Sequence, residues 1–269
     1  GLAGCPTDTP LGVIGVEQAA ELIEQLLLLF LDLAGSEHSR MRQLLGVITP
    51  SQLLHQLQAR VPFAIQSAPT DWQRTAISQH AAMGIYPQQQ NGLCMVAAGV
   101  RLGRIDATQL HALADLAEQH GDASLRLTPW QGVLLPNIPE HSTDTLLHKL
   151  NDLGLLTDAQ EPLSQLIACT GSAACAKGLS DSKADALHLA ERLHAGSARP
   201  QVHLSACPRS CAAAHTAPFT LLASSADHYQ LYQRTPQVAG FGQLVASAMT
   251  IDEAGDWFAA HCATGNSDA

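Results

Sequence analysis

Four of the seven cysteines fall into two tight pairs, Cys169-Thr-Gly-Ser-Ala-Ala-Cys175 and Cys207-Pro-Arg-Ser-Cys211, with thirty-one residues between them. Each pair is short enough to put two thiolates on one curved loop. The stretch between reads as a helix and a strand that can bring the two loops face to face. Four thiolates at the corners of a cube are the ligand set of a 4Fe–4S cluster. The intervening Gly, Ala and Ser are small enough for backbone N–H groups to approach the sulfurs and tune the cluster's charge. Pro208, directly after a cysteine, stiffens its loop. A structural zinc site spaces its cysteines about two to four residues apart, which the five-residue gap does not match. Unliganded buried cysteines are common singly but unusual as two paired sets. Cys5, Cys94 and Cys262 have no partner at ligand spacing and read as core residues.

Length and charge narrow the class further. The 269 residues suffice for one large domain or two modest ones. Aromatics are only 4%, so Leu, Ala and Val must build the core. A formal charge of −10 argues against nucleic-acid or membrane-surface binding, which needs a basic face. A small anionic ligand needs only a few local cations. The greasy run Gln25–Leu31 is far shorter than the roughly 20 residues that span a bilayer. With no secretory signal at its start and an odd cysteine count, the chain is expected in a reducing compartment, the cytoplasm. Because it starts at Gly1, a piece of a longer protein is expected.

Along the chain, Leu11–Val16 reads as a strand and Glu17–Ala34 as a helix with Leu22, Leu26, Leu29 and Leu33 on its packed side. Ser51–Ala59 reads as a helix capped by Ser51, and 68–91 as mostly loop. Leu93–Val100 is a strand, and Asp106 caps a helix that runs to His120. Ser124–Thr128 and Gly132–Leu135 are strands, and Ser142–Leu153 a helix. That β-α-β-β-α order suggests a ferredoxin-like unit, an antiparallel sheet with helices on one face. Asp181–His194 reads as a helix, Gln201–Ser205, Phe219–Ala223 and Tyr229–Tyr232 as strands, and Asp252–His261 as a closing helix.

The pattern C-x5-C followed by C-x3-C resembles the cluster signature of the sulfite and nitrite reductase superfamily. The run Leu125-Arg-Leu-Thr-Pro-Trp-Gln-Gly-Val-Leu-Leu-Pro136, preceded by Gly99-Val-Arg-Leu-Gly-Arg-Ile-Asp106, is similar to the branch called precorrin-3B synthase, as is Cys207–Cys211 leading into Pro218-Phe-Thr-Leu-Leu222. The match is good over 92–232 and looser before it. The resemblance implies an α+β fold with three parts: residues 1–60 the C-terminal remnant of a first reductase-like domain, 61–160 a ferredoxin-like half-domain, and 161–269 a 4Fe–4S cluster-binding α/β domain. It implies Cys169, Cys175, Cys207 and Cys211 as cluster ligands, with Cys211 the one that bridges to siroheme iron in the reductases.

The synthase branch implies a monooxygenase that hydroxylates precorrin-3A to precorrin-3B in aerobic cobalamin synthesis. It would use O2 and electrons passed through the cluster, with a mononuclear non-haem iron as the oxygen-activating centre. No G-x-G-x-x-G fingerprint follows a strand, so an external NAD(P)H-dependent reductase is the expected donor. Precorrin-3A is an anionic tetrapyrrole, and Arg126 matches the family's anion-contacting arginine. Arg209 lies between two cluster ligands, and Trp130 could stack on a macrocycle face. The reductases carry an arginine where Trp130 stands, and this chain has only three lysines, which argues against siroheme. The alternatives are a sulfite or nitrite reductase with siroheme, or a non-catalytic iron–sulfur electron-transfer piece. Non-haem iron takes two His and a carboxylate. His203 and His215 lie nearest the cluster in sequence, and neither is assignable as a ligand.

Overall fold

In the computed structural model, which describes residues 10–72, 82–213, 217–235 and 240–262, the chain divides after Ile77 into two units. In the first, leucine spacing decides the packing. A single 3-10 turn at Val16–Gln18 leads into α1 (Ala19–Ala34), followed by a short α2 (Met41–Leu44) and α3 (Pro50–Gln58). Leu22, Leu26 and Leu33 line the side of α1 on which Leu29 is buried, against Leu53 and Leu57. This is the packed face that the spacing predicted. The helix cap is Thr49 rather than Ser51. Thr49 Oγ1 accepts from the Gln52 N–H at 3.2 Å, and Gln52 Oε1 accepts from the Thr49 N–H at 2.8 Å. Pro50 then occupies the first helical position, where its missing N–H costs nothing. The expected strand Leu11–Val16 shrinks to one bridge between Val13 and Gln66. Gly12 and Gly15 interrupt the run, and glycine weakens a strand.

The second unit holds two sheets. The first has the order β1-β2-β4-β3, all antiparallel, from β1 (Gly84–Pro87), β2 (Leu93–Gly99), β3 (Arg126–Leu127) and β4 (Gly132–Pro139). α4 (Ala107–His120) and α5 (Thr143–Asp152) bury Leu113, Leu116, Leu146 and Leu150 against Val96, Ala98, Val133, Leu135 and Ile138. Two readings change here. β1 lies in a stretch read as loop, because Ile85 and Tyr86 are partly exposed and Pro87 ends it. An edge strand tolerates proline and shows little burial pattern. The strand expected at Ser124–Thr128 pairs only through Arg126 and Leu127, since Ala123 turns at φ 60° and Thr128 folds back onto Gly132. β4 in turn outruns its expected end through a bulge at Asn137 (φ 57°), whose N–H donates to Gln88 Oε1 at 2.7 Å.

The second sheet has the order β5-β6-β7-β8-β9: β5 (Leu166–Ala168), β6 (Val202–Ser205), β7 (Phe219–Ser225), β8 (His228–Gln233) and β9 (Gln243–Met249). The first three strands run parallel and the rest antiparallel. α6 (Ser182–His194) and α7 (Ile251–His261) cover one face, with Leu189, Leu193 and Phe258 packed on Leu166, Val202, Leu204, Leu221 and Leu231. By strand alternation Ile167, His203 and Thr220 point to the opposite face. The architecture is α+β, a ferredoxin-like half-domain followed by an α/β domain. Among the described residues no helix is long and apolar enough to cross a membrane.

Candidate cluster site and adjoining cavity

Parallel pairing of β5 with β6 puts their C-terminal ends side by side. Cys169 directly follows β5, and Cys207 stands two residues after Ser205, the last residue of β6. The ladder continues past the strands: the Cys169 N–H donates to the Leu204 carbonyl at 3.2 Å. The Ala206 N–H then donates to Cys169 Sγ at 3.2 Å. The Leu179 N–H closes the strap onto the Ala206 carbonyl at 2.9 Å. One cysteine loop is thereby knitted to the other by backbone alone.

The first loop turns tightly. Its Cys175 N–H donates to the Gly171 carbonyl at 3.0 Å, and Ser172 N–H to the Ser180 carbonyl at 2.9 Å. Gly171 has φ +71°, and a Cβ there would lie 2.7 Å from the Ser182 nitrogen. Only glycine lets the loop return this close to the start of α6. On the second loop Ser210 takes φ 54°, and its hydroxyl donates to the Ala213 carbonyl at 2.9 Å. Cys169, Cys175 and Cys207 are half-buried free thiols and Cys211 an exposed one, while Cys94 is buried.

Around Cys169 lie groups that the motif reading did not single out. Ser182 Oγ is 3.3 Å from Cys169 Sγ and donates to the Cys169 carbonyl at 3.0 Å. The next residue, Lys183, donates through Nζ to the Leu102 carbonyl. Burial and the Arg104 charge hold Lys183 below its ordinary pKa, and Cys169 pulls it the other way. Farther back, Tyr229 Oη donates to Asp185 Oδ2 at 2.5 Å. Burial pushes the carboxyl of Asp185 up and that phenol up as well. The signal was present in the sequence: Asp181 caps a helix just after the first cysteine pair, so Ser182 and Lys183 begin that helix next to it.

The other candidate residues are dispersed. Trp130, in the turn between β3 and β4, is 36% exposed. It lines a cavity with Gly99, Leu102 and Gln131 from one half and Leu163, Leu166 and Ile167 from the other. Leu166 and Ile167 belong to the strand that ends at Cys169. Arg126 is exposed on β3 and Arg209 exposed on the second cysteine loop, and neither lines this cavity. His203 is fully buried, with neither ring nitrogen hydrogen-bonded. Burial pushes it down to about 4. His215 lies outside the described residues.

The donor sets test the two implied metal groups differently. A four-iron cube takes one thiolate per corner, so its ligands need not converge on one point. Four free cysteines on two joined loops, with a backbone N–H already on one sulfur, fit such a cluster. A mononuclear iron needs a convergent set, and among the described residues no three His, Cys, Asp or Glu side chains form one.

Residues 86–153 match the family profile described as the nitrite/sulfite reductase ferredoxin-like half domain. That segment is similar to the half-domain of nitrite and sulfite reductases. The chain is 31% identical over 182 residues to the chloroplastic ferredoxin–nitrite reductase of Zea mays, covering 65% of this chain and 32% of that one. It is 34% identical over 145 residues to the ferredoxin–nitrite reductase of Synechococcus elongatus (52% and 27%). It is 30% identical over 187 residues to sulfite reductase [ferredoxin] 2 of Mycolicibacterium paratuberculosis (62% and 34%). The chain thus spans about a third of the length of these relatives. The solved structure of the Mycobacterium tuberculosis NirA protein superposes with a TM-score of 0.80 at 23% identity, over 99% of this chain and 54% of that one, which establishes the fold. These names fall on the reductase side of the superfamily rather than on the synthase branch that the Trp130 stretch resembles.

Proposed function

We propose that this chain is the cluster-bearing part of an oxidoreductase of the nitrite/sulfite reductase type. Cys169, Cys175, Cys207 and Cys211 would hold a 4Fe–4S cluster, which supplies electrons singly when bound. The observation that carries the reading is the strap from Ala206 N–H to Cys169 Sγ, because it joins the two cysteine loops and aims a donor at a sulfur. The relatives are named as ferredoxin-dependent nitrite and sulfite reductases. Reduction of a small oxyanion, with siroheme as the second group and ferredoxin as the donor, is the reading they support. Cys211, the most exposed of the four thiols, is then the ligand available to a neighbouring macrocycle.

A second reading is favoured by Trp130. Indole offers one N–H and no charge, so it cannot neutralise a siroheme carboxylate as arginine does. A flat, partly exposed apolar side chain lining the cavity suits stacking on a tetrapyrrole. In that reading the macrocycle is the substrate, precorrin-3A, hydroxylated with O2 and electrons from an external reductase, and Arg126 and Arg209 serve its carboxylates. The absorption spectrum of protein purified without oxygen separates the two. A Soret band with a chlorin-type red band supports the reductase. A broad cluster band alone, with siroheme uptake improved by Trp130→Arg and hydroxylation of precorrin-3A, supports the synthase-type reaction. Protein without bound iron and sulfide after reconstitution overturns both.

A further inference from the structure

We infer that Lys183 is a positioning residue that sets the reduction potential of the cluster, by holding a fixed positive charge beside Cys169. The inference rests on the proposed reading of Cys169 as a cluster ligand. Lys183 follows Ser182, whose hydroxyl lies 3.3 Å from Cys169 Sγ. Its ammonium does not swing freely, because Nζ donates to the Leu102 carbonyl. That carbonyl belongs to the loop before α4, so the half-domain supplies the anchor and the cluster domain the charge.

Two features keep this charge effective. First, no carboxylate neutralises it: among the described residues Lys183 has no ion-pair partner. The flanking acids are engaged elsewhere, Asp181 with the Ala184 N–H at 3.3 Å and Asp185 with the Tyr229 hydroxyl at 2.5 Å. Second, Lys183 is partly withdrawn from water, where a charge acts more strongly on its neighbours. Burial and then the Arg104 charge lower its pKa, while Cys169 favours the ammonium. Adding an electron to a cluster adds negative charge, so a fixed cation favours the reduced form and raises the potential.

The test is an anaerobic redox titration of the reconstituted chain, followed by electron paramagnetic resonance, with iron and sulfide assayed in each sample. Lys183→Met removes charge and donor together. Lys183→Gln keeps a neutral N–H donor for Leu102, and Lys183→Arg keeps the charge. The expected result is a more negative midpoint for the Met and Gln variants and a near-native midpoint for Arg, all with native iron and sulfide. Unchanged midpoints with a full cluster overturn the inference. So does a shift in Met that Gln repairs, since the hydrogen bond would then be the cause. If the Met variant does not fold, Gln against Arg decides. A wild-type chain that holds no iron and sulfide removes the cluster reading itself, a result distinct from an unmoved potential.

Discussion

Cys94 sits on β2 among apolar neighbours with almost no exposure, whereas Cys169 sits at a strand end with a backbone N–H and a serine hydroxyl on its sulfur. The same side chain serves packing in one place and is poised for ligation in the other. Single Ser variants at Cys169, Cys175, Cys207 or Cys211 should therefore lose most cluster iron and sulfide. Cys94→Ala and Cys262→Ala should keep it, with Cys94→Ala showing only a stability loss. Native iron in Cys175→Ser would count decisively against the assignment. At this scale spacing made the four cysteines legible, because ligand chemistry fixes which residues must be close in sequence. Lys183 was not legible in the same way. Its partner, the Leu102 carbonyl, is 81 residues away, and no local pattern encodes a contact that only the tertiary fold creates.

Helices were read more faithfully than strands, for a reason visible in their ends. Asp106 was expected to cap α4, and its Oδ1 accepts from the Gln109 N–H at 2.8 Å. Gln109 answers by accepting from the Asp106 N–H at 3.1 Å and reaches across to the Leu153 carbonyl at 2.8 Å. A cap is a local device, so a few residues announce it. β1, β5 and β9 have no such device. β5 is three residues long, and β9 is exposed along most of its length, so neither has alternation to detect. They are strands because a neighbour offers a ladder. The cap gives a prediction: Asp106→Ala should destabilise the second unit by about 1 kcal/mol. Asp106→Asn, which keeps the acceptor, should cost much less. Urea denaturation of both variants measures it, and an equal loss in the two would mean that the carboxylate's charge matters rather than its cap.

On the scale of the whole molecule, the order of elements suggested one helix-covered antiparallel sheet and the family resemblance an α/β domain after it, but neither told what would be sealed behind the second sheet. His203 is buried on the face of the second sheet turned away from α6 and α7, and its register neighbour Thr220 is buried with an unpaired hydroxyl. Burial disfavours the imidazolium and lowers the folded-state value to about 4, from an ordinary 6.5. The sign follows from proton counting. Between pH 6.5 and about 4 the unfolded chain binds a proton at this residue that the folded chain refuses. Stability therefore falls as the pH drops through that window, and levels off below it. A difference of that size corresponds to roughly 3 kcal/mol in total. Carboxylates add their own pH dependence, but they are common to the wild type and a His203→Leu variant. Denaturation measured every half unit from pH 7.5 to 4 should show the wild type losing stability more steeply than His203→Leu below pH 6.5. The two should converge in slope above pH 7, where His203 is neutral in both states. At pH 7 the substitution should be tolerated, because it also removes two buried polar atoms without partners. Parallel curves across the window would mean that water or a partner group reaches His203 in solution, and that its burial is not what the fold makes it.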